Sequence, residues 1–250
     1  MALIDGKLVA SRILKDVARE VGALKKKKIT PKVAIVLVGN NPASLAYITQ
    51  KTKACEKVGI EYEHIKLPQT TSQKKLTALI EKLNNDRRVH GMLVQMPLPP
   101  HMHAPEVIKA INPYKDVDGF HAYNIGKLCI SQEFEDLVPS TPKGVIKLLE
   151  HYNVTVQGAR AVIVGKSNIV GKPLAVMLMN RGATVTVCHS KTKNLAAHTR
   201  EAEILCVAVG VPNLIKASMV KKGAVVIDVG FNRTENGVTG DVDFKNVSKK

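Results

Sequence analysis

The glycine-containing stretch at residues 161–173 reads AVIVGKSNIVGKP, an apolar run that passes through a turn into a helix-like segment. Gly165 would allow the tight turn, Ser167 stands where a small residue lets a phosphate approach the backbone, and Gly171 would let the helix pack closely on the sheet. The N–H groups at the start of such a helix attract an anion, here a pyrophosphate. The stretch predicts a dinucleotide-binding turn, although its spacing differs from the standard glycine fingerprint and a purely structural strand-turn-helix remains the alternative.

The same half of the chain contains four strand-like apolar runs separated by helix-sized segments. The stretch Pro139–Pro142 offers a helix cap and a proline for the first helical turn, so we place the domain linker there, before a helix through about Tyr152. We predict that residues 139–250 form a Rossmann-like domain with a doubly wound parallel sheet. Its predicted strands are Arg160–Val164, Thr184–Cys188, Ile204–Val207 and Ala224–Asp228.

The first half of the chain also alternates helix and strand patterns. Such alternation indicates parallel strands joined by crossover helices, with ligands bound outside the carboxyl ends of the strands. We therefore predict another α/β domain, residues 1–138, in which the side chains just after each strand are candidates for function. Its predicted elements are a helix around Ile13–Leu24, a strand at Val33–Val38, a helix capped by Ser44 and ending near Val58, a strand at Tyr62–Leu67, a helix at Ser72–Asn85 and a strand at Gly91–Gln95.

The residues that follow Cys188 bear on the choice between the two nicotinamide cofactors. Folds that prefer NAD carry an acidic residue about 20 positions after the glycine turn, and that carboxylate would repel the 2′-phosphate of NADP. Here His189, Ser190 and Lys191 stand instead, and all can donate to a phosphate. Lys166 could add charge from the turn. We predict NADP as the cofactor; for His189, a hydrogen-bonded histidine at a strand end remains the alternative.

The composition indicates an anionic partner and excludes several classes of protein. The formal net charge is +16 at pH 7, which is compatible with a phosphate-bearing cofactor, a polycarboxylate substrate or nucleic acid. Aromatic residues make up 4% of the chain and Trp is absent, which argues against a single-strand nucleic-acid binder. The four cysteines are too widely spaced for a metal site or a disulfide framework, so we expect buried, reduced thiols and no metal. Because no apolar run is long enough to span a membrane, we expect a cytoplasmic protein.

Four polar residues of the first half are candidates for the chemistry. Tyr47 and Lys51 are four positions apart on a predicted helix and share one face. Gln95 ends a predicted strand, and Asp118 lies in a loop with proline and glycine residues before and after it. All four could line one cleft. Taken alone, the Tyr47 and Lys51 pair would more often be two surface residues.

In this order and register, the motifs resemble those of the bifunctional methylenetetrahydrofolate dehydrogenase/methenyltetrahydrofolate cyclohydrolase family. The resemblance covers nearly the whole chain, and several motifs in register are more specific than any one of them. The motifs are Val38–Gly39 with Ser44, Tyr47 and Lys51; Gln95–Pro99; Lys115–Gly119; Thr141–Pro142; Gly165–Pro173; and Val226–Gly230.

The resemblance implies two reactions in one cleft between the domains. The first is oxidation of 5,10-methylenetetrahydrofolate by hydride transfer to NADP, for which close positioning of the two reactants is the main requirement. The second is hydrolysis of the methenyl cation to 10-formyltetrahydrofolate, which needs a base that accepts a proton from water. The family also implies a homodimer that binds tetrahydrofolate derivatives, with no nucleic acid and no membrane as partners.

The resemblance also implies a role for each candidate residue. Lys51, as a neutral amine, is the base of the hydrolysis, and Gln95 hydrogen-bonds to it. Tyr47 packs on and orients the substrate, whereas the Asp118 carboxylate accepts from the N–H groups of the pterin. The cofactor is implied to contact Gly165, Lys166, Ser167 and Ser190, with Phe231 near the nicotinamide end; for Phe231, plain core packing remains the alternative.

The sequence departs from the family pattern at two places. Many members have Arg where this chain has Lys166, and lysine keeps the charge but loses the bidentate geometry toward phosphate, so we expect weaker NADP binding. Family chains also continue beyond the position of Lys250 through a Pro-Gly-Gly-Val-Gly-Pro segment and a helix that packs on the first domain. We expect that segment to affect the completeness of the folate site and the stability of the first domain.

Three other functions are compatible with parts of the sequence. A monofunctional NAD-linked member of the same family is disfavoured by the lack of an acid after Cys188. A basic nucleic-acid-binding module would use the excess of lysine for phosphate contacts, with an affinity that falls steeply with salt. A nonenzymatic dinucleotide sensor would keep the Gly165 turn but tolerate the loss of Lys51 and Asp118.

Overall fold

Parallel sheets organise the chain, which the computed structural model describes over residues 3–235 and 237–250. The chain divides into two units, one of Gly6–Ile125 and the other of Gly126–Lys250 together with the N-terminal residues through Asp5. Both units have α/β architecture, as predicted. Within the described ranges, no helix combines the length and the apolar composition required to cross a membrane.

The unit Gly6–Ile125 contains a three-stranded parallel sheet with the order β2-β1-β3. The central strand β1 is buried from Ala34 to Val38, and a strand covered on both faces requires the continuous apolar run seen there. The two helices α4 and α5 were not predicted. The bounds are α1 Gly6–Lys26, β1 Lys32–Val38, α2 Pro42–Val58, β2 Glu61–Leu67, α3 Gln73–Asn85, β3 Gly91–Val94, α4 Ala104–Ala110 and α5 Ala122–Ile130, the last of which continues into the next unit.

Helix α2 begins earlier than predicted. Asn41 is its cap, because the Asn41 Oδ1 accepts hydrogen bonds from the backbone N–H groups of Ala43 at 3.0 Å and of Ser44 at 3.1 Å. Pro42 occupies the first turn, where its missing N–H costs nothing. The prediction of Ser44 as the cap was therefore wrong. Ser44 is buried inside the first turn, and its hydroxyl donates to the Met96 carbonyl at 3.3 Å.

The other unit contains a four-stranded parallel sheet with the order β5-β4-β6-β7. Its four strands agree with the predicted ones, the last beginning one residue later than expected, at Val225. A short antiparallel hairpin, β8 and β9, follows the sheet and was not predicted. The bounds are α6 Ser140–His151, β4 Arg160–Val164, α7 Gly171–Met179, β5 Thr184–Cys188, α8 Leu195–Glu201, β6 Ile204–Val207, β7 Val225–Asp228, β8 Asn232–Thr234, β9 Gly237–Thr239 and α9 Phe244–Val247, with short 3₁₀ turns at Gln132–Phe134 and Ala217–Met219.

The chain passes from one unit to the other at Gly126, which precedes the predicted linker at Pro139–Pro142. The intervening residues belong to the second unit because polar contacts hold them there. Arg181 donates to both oxygens of the buried Glu135, at 2.8 and 2.9 Å, and the Asn180 side chain donates to the Leu128 carbonyl at 2.9 Å. Periodicity alone gave no sign of these contacts. The functional division into residues 1–138 and 139–250 stays a prediction.

The four cysteines are free thiols, but only two of them are buried as expected. Cys188 and Cys206 lie inside the second unit, and burial raises the pKa of the Cys206 thiol to about 12. Cys55 is half-buried and Cys129, on α5, is exposed. The sequence did not predict the exposure of Cys129.

Candidate active site

Three of the four candidate side chains of the first unit meet at the carboxyl end of its sheet. The Lys51 Nζ lies 3.4 Å from the Gln95 Oε1 and 3.4 Å from the Asp118 Oδ1. The Lys51 side chain is 35% exposed and that of Asp118 is 15% exposed, so the pair is partly withdrawn from water but accessible from one side. Tyr47 lies one helical turn before Lys51 and is 47% exposed.

The side chain of Gln95 is oriented by the residue that follows it. The Gln95 backbone N–H continues the pairing of β3 by donating to the Val36 carbonyl at 2.8 Å. Its side-chain Nε2 donates to the Met96 carbonyl at 2.8 Å, so the Oε1 is directed at Lys51. The same Met96 carbonyl accepts from the Ser44 hydroxyl, which joins α2 to the end of β3. The helix that carries Lys51 and the strand that carries Gln95 are therefore held together next to the cluster.

The loop that carries Asp118 is attached to strand β3. The Met92 N–H donates to the Lys115 carbonyl at 2.7 Å, and the Val117 N–H donates to the Met92 carbonyl at 3.3 Å. A Cβ on Gly91 would overlap the Val117 side chain, so this glycine allows the loop to approach the strand. The position of Asp118 consequently follows from the sheet.

A second carboxylate, Asp116, shapes that loop from the inside. It is buried and accepts from the N–H groups of Gly119 at 3.1 Å and His121 at 2.8 Å and from the Asn124 side chain at 3.0 Å. The two aspartates thus have separate tasks, because Asp116 closes the turn while Asp118 faces Lys51. Sequence reasoning missed Asp116 and Asn124, although an Asp in a glycine-containing loop is a known signal for bonds to its own backbone.

The electrostatics of the cluster are set by burial and by Lys51. Burial raises the pKa of the Asp118 carboxyl above its ordinary value, the Lys51 ammonium opposes this shift through its charge and its hydrogen bond, and the charge of Asp116 adds a smaller increase. The cluster therefore places one amine nitrogen and one carboxyl group within hydrogen-bond distance of each other. In the described part of the chain, no group of three or more His, Cys, Asp or Glu side chains could hold a metal ion.

In the second unit, the predicted dinucleotide turn depends on two glycines. Gly165 has a φ of +127°, and a Cβ there would overlap the Ala208 carbonyl oxygen at the end of the neighbouring strand. A Cβ on Gly171 would overlap the Gly165 carbonyl oxygen. The Gly165 N–H donates to the Cys188 carbonyl at 2.8 Å, so the ends of β4 and β5 lie side by side. The turn is as tight as a pyrophosphate-binding turn requires.

The Ser167 side chain caps a helix, a role that was not predicted. Its hydroxyl oxygen accepts from the N–H groups of Val170 at 3.1 Å and of Gly171 at 3.3 Å, so Ser167 satisfies the first donors of α7 itself. The N–H groups of residues 167–169 have no protein acceptor among the residues that the structure describes, and they remain available to an anion. The donor set still fits a dinucleotide, but it lies before the helix rather than in its first turn.

The predicted phosphate donors after β5 lie in a closed turn. The His189 N–H donates to the Thr192 hydroxyl at 2.8 Å, and the Lys191 N–H donates to the His189 Nδ1 at 3.1 Å. His189 therefore matches the alternative of a hydrogen-bonded histidine at a strand end. Ser190, Lys191 and Lys166 are exposed. Their position fits recognition of a phosphate on the ribose that neighbours the turn.

Phe231 follows strand β7 and is 56% exposed. Plain packing in the core, which was the alternative for this residue, is therefore excluded. An exposed aromatic side chain after the carboxyl end of a parallel strand lies at the edge where such sheets bind their ligands.

Two family models match the chain. The first, described as the catalytic domain of tetrahydrofolate dehydrogenase/cyclohydrolase, matches residues 4–118. The second, described as the NAD(P)-binding domain of the same family, matches residues 139–250.

Similar proteins match nearly the whole of this chain. The bifunctional protein FolD of Methanosarcina mazei is 54% identical over 249 residues, which cover 99% of this chain and 86% of the relative. The structure of the bifunctional FolD dehydrogenase/cyclohydrolase of Campylobacter jejuni is 48% identical, has a TM-score of 0.98 and matches 100% of this chain and 89% of its own. The FolD structure of Trypanosoma brucei, complexed with NADP and an inhibitor, is 34% identical, has a TM-score of 0.93 and matches 98% of this chain and 86% of its own. The chain belongs to the tetrahydrofolate dehydrogenase/cyclohydrolase family.

Proposed function

We propose that this protein oxidises 5,10-methylenetetrahydrofolate with NADP and hydrolyses the methenyl product to 10-formyltetrahydrofolate. The observation that carries the proposal is the contact of Lys51 with both Gln95 and Asp118. Membership of the family, with its catalytic and NAD(P)-binding domains, supports both activities.

The oxidation requires that a folate and a dinucleotide be held in place. NADP supplies the acceptor for the hydride that leaves the folate carbon. Gly165 would allow the close approach of the pyrophosphate, while Lys166, Ser167 and Ser190 would contact phosphate groups and Phe231 would lie near the nicotinamide. The choice of NADP is supported by the trypanosomal relative that binds it and by the absence of an acid in the turn after Cys188.

The hydrolysis requires that Lys51 be neutral when water attacks. In the contact seen here the Lys51 Nζ lies 3.4 Å from the Asp118 Oδ1, and an ammonium group in such a pair cannot accept a proton. The pterin of the substrate offers N–H donors to Asp118, and the methenyl cation next to Lys51 disfavours a second positive charge. Bound substrate would therefore compete with Lys51 for Asp118 and place a positive charge beside the amine.

With the amine neutral, the proton transfer is direct. Lys51 takes one proton from the attacking water while the water oxygen forms a bond to the methenyl carbon. The hydroxyl of this adduct then loses its proton as the formyl C=O forms, N5 gains a proton as its bond to the carbon breaks, and the formyl group stays on N10. Gln95 would keep the Lys51 nitrogen directed at the water through its Oε1, and Tyr47 would pack on the pterin. These roles of Gln95 and Tyr47 are the ones that the family resemblance implies.

The test is a spectrophotometric assay of methylenetetrahydrofolate with NADP that follows the methenyl product and its decay. We expect both the formation of NADPH and the loss of the methenyl species. Formation without decay faster than the uncatalysed rate would contradict the cyclohydrolase activity. A preference for NAD over NADP would contradict the cofactor and favour a monofunctional member.

We also propose that the protein acts as a cytoplasmic homodimer in one-carbon metabolism and supplies 10-formyltetrahydrofolate for purine synthesis. The four free thiols are compatible with a reducing compartment. The homodimer follows from the family resemblance. Sedimentation equilibrium of the purified protein tests it, because a single species of monomer mass at micromolar concentration would contradict the dimer.

A further inference from the structure

A buried carboxylate lies beneath the carboxyl edge of the second sheet. Asp241, two residues after the hairpin strand β9, is 0% exposed. Its Oδ2 accepts from the N–H groups of Val209 at 2.7 Å and Gly210 at 2.9 Å, and its Oδ1 accepts from the Asn232 side chain at 2.8 Å. Three donors converge on one buried acceptor, which is the arrangement that makes such a group costly to remove.

The donors belong to two loops that leave the edge where parallel sheets bind ligands. Val209 and Gly210 follow strand β6, and Asn232 follows strand β7. The loop after β6 also touches the dinucleotide turn, because its Ala208 carbonyl occupies the space that a Cβ on Gly165 would need. Asp241 therefore links the loop after β6, which touches the Gly165 turn, to the loop after β7, which carries Phe231.

The segment that carries Phe231 is held from both ends by this arrangement. On one side, the Gly230 N–H donates to the Asp228 Oδ1 at 2.9 Å, and the Asp241 N–H donates to the same oxygen at 3.0 Å. On the other side, the Asn232 side chain donates to Asp241. A Cβ on Gly230 would overlap the Asp241 carboxyl group, so backbone and carboxylate are in direct contact. The exposed ring of Phe231 is thereby carried on a backbone with little freedom.

We propose that Asp241 is a positioning residue of the dinucleotide site, an inference that rests on the proposed function. Asp241 touches no ligand itself, since it is fully buried. Its carboxylate fixes the Val209–Gly210 backbone and the Asn232 amide and, through them, the place of Phe231 beside the nicotinamide. Charge-assisted hydrogen bonds are about twice as strong as neutral ones, which makes the carboxylate more effective than an amide at this point.

The substitution Asp241→Asn tests this inference because it changes one contact selectively. The amide oxygen can still accept from Val209 and Gly210, but the carboxylate charge is lost. The contact with Asn232 becomes a neutral bond that forms only after the Asn232 amide rotates to turn its oxygen toward the new nitrogen. We expect NADP to bind about 10-fold more weakly in a calorimetric titration, with a matching rise in the KM for NADP. The cyclohydrolase activity, measured with methenyltetrahydrofolate and without NADP, should stay within about 2-fold of the parent protein.

Two further variants complete the experiment. The double variant Asp241→Asn/Asn232→Asp exchanges the two groups and restores a charge-assisted bond, so it should recover part of the lost affinity. The control is Asp243→Asn, a nearby substitution of the same chemistry. Among the described residues the Asp243 side chain accepts from Asn246 alone, at 2.8 Å, so NADP binding should not change.

Three outcomes would overturn the inference. Parental affinity for NADP in Asp241→Asn is the first, and an equal loss of cyclohydrolase activity, which would indicate a general structural role, is the second. If Asp241→Asn does not fold, the variant Asn232→Ala replaces it, because that change leaves the backbone contacts of Asp241 intact. Parental affinity for NADP in Asn232→Ala is the third outcome. The titration needs no folate, so it remains decisive for Asp241 even if the parent protein proves inactive and the proposed function fails.

Discussion

The two units build their sites from different materials. In the unit Gly6–Ile125, the site consists of side chains, with Lys51, Gln95 and Asp118 in contact and a separate carboxylate, Asp116, closing the loop beneath them. In the other unit, the site consists mainly of backbone, with N–H groups exposed by a turn that only glycine can form at Gly165. We therefore expect that a substitution in the first site can remove activity without destabilising the fold. A substitution in the glycine turn of the second unit should instead weaken cofactor binding and destabilise the fold together.

The largest effect should follow from Lys51→Met, which tests whether the first unit can lose activity without losing stability. We expect the cyclohydrolase rate to fall by about 10²- to 10⁴-fold, because the proton acceptor is removed. The melting temperature should change little, since the Lys51 side chain is partly exposed. The control is Lys53→Met on the exposed side of the same helix, which should keep the parental rate. Parental hydrolysis by Lys51→Met would eliminate Lys51 as the base.

The next effect should follow from Gly171→Ala, which tests whether NADP binding and stability are lost together in the second unit. The added Cβ would overlap the Gly165 carbonyl oxygen, so we expect the free energy of unfolding to fall by about 1–3 kcal/mol and NADP binding to weaken with it. The matched control is Gly144→Ala on α6, where nothing lies within 4 Å of the new Cβ. That variant should gain up to about 1 kcal/mol. Denaturant titrations measure both, and full NADP affinity in a destabilised Gly171→Ala protein would break the comparison.

A smaller effect is expected from replacing both Ser190 and Lys191 by Glu. Two carboxylates in the exposed turn after β5 would repel the 2′-phosphate of NADP, so the ratio of the NADP to the NAD dissociation constant should rise by about 10-fold. Lys222→Glu is the control, since this exposed lysine precedes β7 at the opposite edge of the sheet. Equal losses for the two cofactors would refute the assignment of this turn.

The smallest effect concerns the stability of Asp118→Asn as a function of pH. Burial raises the pKa of the Asp118 carboxyl above its ordinary value of 3.8, although Lys51 opposes the shift. The folded state thus keeps this proton to a higher pH than the unfolded state. The free energy of unfolding therefore falls as the pH rises from the ordinary pKa of the carboxyl group through its raised pKa in the folded state. We expect Asp118→Asn to be more stable than the parent protein at pH 7, by no more than about 1 kcal/mol, and the difference to shrink toward about pH 4. Thermal melts of both proteins across this range measure it, and a difference that grows on acidification would contradict the sign.

The fold and the main site residues could be predicted because their signals lie in the residue types themselves. Strands β4 and β6 are buried in the middle of a parallel sheet and consist of apolar runs of recognisable length, whereas β5 at its edge alternates exposed threonines with valines. The rule that ligands lie after parallel strands brought Gln95 under scrutiny, and the family resemblance brought Lys51 and Asp118 together with it. The contact of these three side chains agrees with that expectation, whereas their roles stay predictions.

The features that the sequence did not predict depend on hydrogen-bond donors that no residue pattern identifies. Asp116 and Asp241 accept mainly from backbone N–H groups, and every residue except proline has one. Asn41 was missed as the cap of α2 because Ser44 is equally suited by type, and the choice depends on where the chain enters the helix. The short helices α4 and α5 fall in a stretch of proline and glycine residues, where periodicity is too brief to be read.

The uneven exposure of the thiols has a practical consequence. Cys188 and Cys206 are shielded, and burial raises the pKa of both and that of Cys55, so none of the three offers much thiolate near neutral pH. Cys129 alone is exposed. A maleimide dye should therefore attach at this point of α5 first, close to where the chain crosses from one unit into the next. The unmodified protein thus offers a fluorescent reporter of that crossing without any engineered cysteine.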